Sequence, residues 1–410
     1  DLVAFRRVVL MFGLMSSACT TRPPVTPTSP SDQALRPVVH PAVSPVVFEG
    51  SLERLPKSEP WKLGDPIREV EDLEGEGEIK PSPVAPGQVT HDLRDLPTTT
   101  PSVPGQSPRE IDDLKRSTET STSTESDSTE TITTTNGTAP TSDSRAASGT
   151  VAATFQIGSS FEGIPATGWV PPDPVGDIGP KHYIQAVNIS FAVYDRNGAL
   201  LAGPSPINTL WSGFGGACEK ENQGDPVVRY DHLAKRWLVS QFVISQNTQC
   251  FAISRTEDPI AGGWYLYAFP TPGSPDYPKI AVWPDAYYMG TQRGFPGNGL
   301  DVYAFERSQM LAGLPAAQVQ FTVPAPSLFL LPSDLDGPPP AVDSPNFFAR
   351  QVDGGVFGGA DRIEIFEFHV DWSNPGLSTF AQTSSLAPTA FDSVLCGGGL
   401  LGACIPQPGT

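Results

Sequence analysis

Pro226-Val227-Val228-Arg229-Tyr230, a turn from Asp231 to Lys235, and Trp237-Leu238-Val239-Ser240-Gln241-Phe242-Val243 form the stretch whose reading decides the architecture. Cys250-Phe251-Ala252-Ile253-Ser254 and Trp264-Tyr265-Leu266-Tyr267-Ala268-Phe269 follow it, so one phrase holds four short segments rich in β-branched and aromatic residues. The phrase recurs downstream at Lys279-Ile280-Ala281-Val282-Trp283, Tyr287-Tyr288-Met289-Gly290, Leu300 to Phe305 and Val319 to Val323. It recurs upstream from Asp173 to Asp195, and again from Ser333 to Phe368. The second segment of the four copies starts near His182, Trp237, Tyr287 and Asn346, at spacings of 55, 50 and 59 residues. The third starts near Phe191, Cys250, Asp301 and Ile363, at spacings of 59, 51 and 62. Four short strands per unit at a period of roughly 50 residues is the pattern of a β-propeller. The expected fold is therefore all-β, a propeller of four-stranded blades with four blades visible.

Composition divides the chain at about residue 150. Residues 151–410 carry six of the seven Trp, all but Trp61, while residues 20–150 are dominated by Pro, Ser, Thr and acids. Only the later part has the apolar content to offset chain entropy, so 20–150 reads as a disordered tether and 151–410 as one folded domain. Within the tether Thr20 to Pro56 is proline-rich, which favours extended polyproline backbone, and Glu69 to Glu78 is an acidic run. Residues 1–150 hold 14 Lys+Arg against 22 Asp+Glu, and residues 151–410 hold 12 against 23, which together make the net charge of −19. With no basic strip, nucleic acid and anionic lipid surfaces are excluded as partners, and a monomer is expected.

Arg6-Arg7 followed by Val8 to Met15 and then Ser16-Ser17-Ala18-Cys19 has the charged, apolar and small-residue order of a secretory signal over residues 1–19. The apolar run is too short to span a bilayer, which takes about 20 residues. Ala18-Cys19 also resembles the lipobox of bacterial lipoproteins, departing from it at Ser16, where that family carries an aliphatic residue. The resemblance implies Cys19 as the lipidated residue, with cleavage without lipidation as the alternative. Either way a secreted or surface-anchored location in a bacterium is expected, with membrane contact only through the lipid. The other four cysteines suggest two disulfides, Cys218 with Cys250 and Cys396 with Cys404, as an exported protein tolerates. A zinc site is disfavoured, since these cysteines have no Cys-x-x-Cys spacing and no neighbouring His.

An acidic residue recurs just before the first segment of each copy: Asp177, Asp225, Asp276 and Asp334. First strands line the centre of a propeller, so these carboxylates are expected to converge on one mouth of its channel. There they would cap their own turns, bind a ligand or Ca²⁺, or act as acid and base on a sugar, with Glu221 as a further carboxylate. Asp231 and Asp285 fall in turns and read as structural. Trp211, in the glycine-rich stretch Leu210 to Gly216, is expected at the surface as a sugar platform, whereas Trp237 and Trp264 are expected to pack between blades. His182, His232 and His369 lie on different copies and offer no base–nucleophile pair, and no hydrolase elbow, metalloprotease, phosphate-loop or dinucleotide motif is present.

Pro171-Pro172-Asp173-Pro174-Val175-Gly176-Asp177-Ile178-Gly179-Pro180-Lys181-His182-Tyr183, Gly224 to Asp231 with Arg236-Trp237, Asp276 to Tyr288, and Cys404-Ile405-Pro406-Gln407-Pro408-Gly409-Thr410 resemble a family of secreted bacterial proteins. The resemblance implies a propeller-like fold without an established activity, and a chain that continues past Thr410 with further strands. The function expected is binding of an extracellular carbohydrate or protein, with glycoside hydrolysis by carboxylates at the channel mouth as the alternative.

Overall fold

The computed structural model describes residues 35–62, 64–69, 160–293, 299–324, 329–391 and 393. Cys19, Cys396 and Cys404 lie outside the described residues. Strands make up 45% of the structure against 11% helix, which makes the fold all-β.

Four antiparallel sheets follow one another along the chain. The first holds β5 (Val175–Ile178), β6 (His182–Val187), β7 (Ser190–Asp195) and β8 (Leu200–Pro206). The second holds β9 (Val227–Asp231), β10 (Arg236–Val243), β11 (Thr248–Ser254) and β12 (Trp264–Pro270). The third holds β13 (Pro275–Val282), β14 (Tyr287–Arg293), β15 (Leu300–Phe305) and β16 (Ala316–Val323), and the fourth β17 (Leu331–Pro332), β18 (Asn346–Val352), β19 (Arg362–His369) and β20 (Thr379–Leu386). Each sheet is a meander, and the first strands β5, β9, β13 and β17 pack against one another in succession. Among the described residues the sheets do not close into a barrel or a complete ring.

Strand alternation explains why consecutive sheets stack. Residues i and i+2 share a face. In the second sheet Val228, Trp237, Val239, Cys250, Ala252, Trp264 and Leu266 join Ile184, Phe191 and Val193 of the first in one apolar cluster. The intervening Val227, Leu238, Phe251, Ile253, Tyr267 and Phe269 turn the other way and meet Ile280, Val282, Tyr287, Met289, Tyr303 and Phe305 of the third. A third cluster joins Tyr288, Val302, Ala304 and Phe321 to Phe348, Phe366, Phe368 and Phe380 of the fourth. The second and third sheets are thus buried on both faces, which is why β11 is buried from Gln249 to Ser254 and β15 from Leu300 to Phe305, without the alternation of a half-exposed strand.

The structure differs from the sequence reading in the tether. Within residues 20–150, β1 (Val38–Val43) pairs with β16 as a fifth strand of the third sheet, and β2 (Val46–Phe48) pairs with β12 as a fifth strand of the second. Leu52 and Leu55 then enter the cluster between the first and second sheets, and Ser58 N–H donates to Pro204 O of β8 at 2.9 Å. Leu35 packs on the cluster between the third and fourth sheets. Residues 35–58 therefore form a strap laced over all three inter-sheet clusters or the sheets that flank them. The strap covers two sheet edges that would otherwise present unpaired N–H and C=O groups. Its short apolar runs were masked by the proline-rich average around them.

An Asn-Gly pair between two strands ordinarily makes a tight hairpin turn with positive φ at both positions, and the Asn197-Gly198 turn departs from that. Gly198 alone takes positive φ, at 89°. Asp195 Oδ1 accepts from Asn197 N and Ala199 N, so the Asp side chain closes the loop and replaces the second left-handed residue.

Candidate functional site

The first strand of every sheet is entered through the same backbone device. A residue with left-handed φ stands two positions before the regular part of the strand: Asp173 at 38°, Asp225 at 41°, Tyr277 at 52° and Phe329 at 51°. The interval between them is 52 residues each time. In β13 this residue sits in a bulge, because pairing is irregular between Asp276 and Lys279. Pro174, Pro226 and Pro278 follow the first three, fixing φ at the next position.

Because the first strands pack in succession, these turns meet. Asn188, fully buried, donates from Nδ2 to Pro171 O at 3.0 Å and to Asp173 Oδ2 at 3.1 Å, while its Oδ1 accepts from Asp225 N at 2.9 Å. Gly224 is obligatory here, since it has φ of 112° and a Cβ would lie 2.6 Å from Asn188 Oδ1. The Asp225 carboxyl is pushed well above the usual carboxylate range. Burial is the main cause, followed by the charge of Asp173 and a hydrogen bond to it, then by Asp276, with Lys279 opposing. Lys279 is pulled down by burial, against the pull of Asp225 and Asp173. Its Nζ lies 3.7 Å from the centroid of the Tyr277 ring, whose other neighbour is Phe329 at 5.1 Å. Burial, then Asp173 and Asp225, push the Tyr277 hydroxyl up, so it stays a donor.

The site therefore holds a carboxyl that binds its proton more tightly than usual, two further Asp side chains, the Lys279 amine and a partly exposed aromatic pair. This is a mixed donor and acceptor surface beside an apolar ring.

Of the four acids read from the sequence, Asp225 and Asp276 come together here and Asp177 and Asp334 do not. Asp177 Oδ2 accepts from Tyr230 N at 2.7 Å, tying β5 to β9. Asp334 Oδ1 accepts from Val282 N at 2.8 Å and Oδ2 faces Arg229 Nε at 3.0 Å, tying the fourth sheet back to the third and second. Both are latches between neighbouring first strands, and burial raises Asp334 although Arg229 opposes it. Trp211 is corrected as well: it is 0% exposed in the short helical turn Ile207–Trp211, packed with Ile207 and Leu210 between the first two sheets. The glycine-rich loop begins only after it.

Cys218, in the short helix Ala217–Lys220, and Cys250 of β11 form a fully buried disulfide. Glu221 ends that helix, where its backbone O accepts from Gln241 Nε2. His232 bonds Gly337 O and His369 bonds Glu367, each away from the acidic site. Among the described residues no group of three or more His, Cys, Asp or Glu is arranged to hold a metal ion. The reading of the sequence missed Asp173, Asn188, Tyr277, Lys279 and Phe329. The signal was the dipeptide series Asp173-Pro174, Asp225-Pro226 and Tyr277-Pro278 at constant spacing.

No family model, no curated protein and no solved structure matches this chain.

Proposed function

We propose that the four sheets are blades of a β-propeller, exported from a bacterium through an N-terminal signal and tethered at Cys19. In this reading the turns at Asp173, Asp225, Tyr277 and Phe329 form a mouth of its axial channel that binds an extracellular carbohydrate. One observation carries it: four equivalent left-handed residues, 52 residues apart, lead into first strands that pack in succession. Sugar hydroxyls need both donors and acceptors beside an apolar ring face, and Asp225, Asp276, Lys279 and Tyr277 provide these together.

A second reading, glycoside hydrolysis, draws support from the raised Asp225 carboxyl, the state of a general acid. Against it, Asp225 is hydrogen-bonded to Asp173, closer than the roughly 5–10 Å that separates paired glycosidase carboxyls.

The test is to incubate the purified full chain, disulfide intact, with insoluble polysaccharides, reading co-sedimentation and reducing-sugar release together, with and without Ca²⁺. Retention without release is expected. It should weaken roughly five- to tenfold in Tyr277→Asn, which removes the ring and keeps a residue tolerant of left-handed φ. Release abolished by Asp225→Asn would replace binding with hydrolysis. Absence of retention on every polysaccharide would overturn the carbohydrate reading and direct attention to protein ligands.

A further inference from the structure

A second concave site lies on the first sheet and shares no lining residue with the axial one. The strap after Ser58 and the segment 162–169 run over β7 and β8, and a short parallel pairing of β3 (Arg68–Glu69) with β4 (Trp169–Val170) joins them. Between them lie two compartments of about 330 Å³ and about 390 Å³. They share Ser58, Glu59, Pro60, Thr167 and Ser190, so they form one elongated groove within the size range of ligand sites.

Its chemistry is selective. In the first compartment Trp61 rests on Gly168, where a Cβ would come within 2.3 Å of the ring, and Arg68 lies 5.7 Å from the centroid of the Trp169 ring. The second compartment is lined mainly by aliphatic and proline residues, with Tyr194 as its aromatic member.

Most polar groups on the walls are committed to the fold. Asn222 binds Ile189 O and Asn208 N, Ser58 Oγ meets Ser190 Oγ, and Thr167 Oγ1 donates to Asn188 O. Trp61 Nε1 is different: it is buried and has no acceptor among the described residues. A buried N–H without a partner carries the desolvation cost of an unmade bond, which a ligand oxygen would recover. Among the described residues that line the groove, Glu59, Asp65 and Glu162 are exposed acids and Arg68, over Trp169, is the one cation, with exposed Lys57 and Lys62 flanking the strap outside the lining.

An elongated groove of aromatic and proline surface, with an unspent donor and an acidic rim, fits one ligand chemistry. A polyproline II segment presents apolar rings and accepting carbonyls, lacks N–H groups at its prolines, and enters the groove already extended. We propose that this groove binds a basic proline-rich segment of a partner polypeptide, with Trp61 Nε1–H donating to a backbone carbonyl and Glu59 facing a Lys or Arg.

The test uses the full chain and a fluorescein-labelled peptide Arg-Pro-Pro-Val-Thr-Pro-Thr-Ser-Pro, the sequence of residues 22–30, whose prolines at a period of three share one face of such a helix. Saturable fluorescence polarisation is expected. It should weaken about five- to tenfold in Trp61→Phe, which keeps a ring on Gly168 and removes the N–H, and also in Glu59→Lys. Three results would overturn the proposal: no saturable signal, undiminished binding of a peptide with every proline replaced by alanine, or displacement of the peptide by neutral oligosaccharides.

Discussion

Arg307→Ala is expected to lower unfolding stability by about 3–5 kcal/mol, because it strands a buried carboxylate. Asp231, at the end of β9, is 0% exposed. Arg307 opens the helix Arg307–Ala312 after β15 and grips Asp231 from the neighbouring sheet, Nε to Oδ2 at 2.7 Å and Nη2 to Oδ1 at 2.9 Å. Tyr287 of β14 donates its hydroxyl to Oδ2 at 2.9 Å, and Ala234 N donates to Oδ1 at 2.9 Å. Every lone pair that faces inward is satisfied, and the whole set bolts the second sheet to the third. Truncating Arg307 removes two of those bonds and leaves the charge in a dry site. Urea unfolding of Arg307→Ala and of the double variant Arg307→Met/Asp231→Asn checks this. The double variant should recover a large part of the loss, since neither buried charge remains. Equal losses in both would show that shape, and not charge pairing, carries the joint.

Removing the Cys218–Cys250 disulfide is expected to cost about 3–4 kcal/mol on loop-closure grounds, because the bond closes a loop of 32 residues. The bond holds the short helix Ala217–Lys220 against β11, and both sulfurs are fully buried. Two smaller partners would loosen with it. Gln241 Nε2 donates to Cys218 O at 3.1 Å, and Glu219 accepts from Gly213 N and Gly215 N, with those two bonds holding its carboxyl below the usual range. Thermal unfolding of Cys218→Ala/Cys250→Ala against the oxidised parent measures the effect. Unchanged stability would mean that packing alone fixes this corner.

The architecture was legible because strand runs announce themselves through residue type. Trp237 to Val243 and Leu300 to Phe305 can be nothing but core strands, and their recurrence fixed the order of the four sheets. The strap was illegible because Val38–Val43 and Val46–Phe48 are short and embedded in proline-rich sequence, and their partners β16 and β12 lie more than 200 residues away. No local pattern reports pairing at that distance. The acidic site was half legible. Asp177 and Asp334 were grouped with Asp225 by residue type, although the backbone groups Asp225 with Asp173, Tyr277 and Phe329 by conformation. Aligning the left-handed turns, and not the carboxylates, gives the right set. Trp211 was misplaced by its glycine neighbours, while Ile207 and Leu210, each four residues before Trp211 and Phe214 respectively, already marked a buried turn.

The turns entering successive sheets converge to build one polar pocket around Asp225. The direct measurement is the unfolding free energy of the parent chain and of Asp225→Asn as a function of pH. Asn tolerates the left-handed backbone and is neutral throughout. A carboxyl raised in the folded state keeps its proton where the unfolded chain, with an ordinary value near 3.9, has lost it. Its contribution is therefore fully favourable below about pH 4 and is lost as pH rises through the folded value, at about 1.4 kcal/mol per pKa unit of elevation. Asp225→Asn is expected to gain on the parent across that window and then to hold a constant advantage to neutral pH. Parallel curves would mean that Asp225 is neither buried nor faced by Asp173 and Asp276, and the pocket would not exist as described.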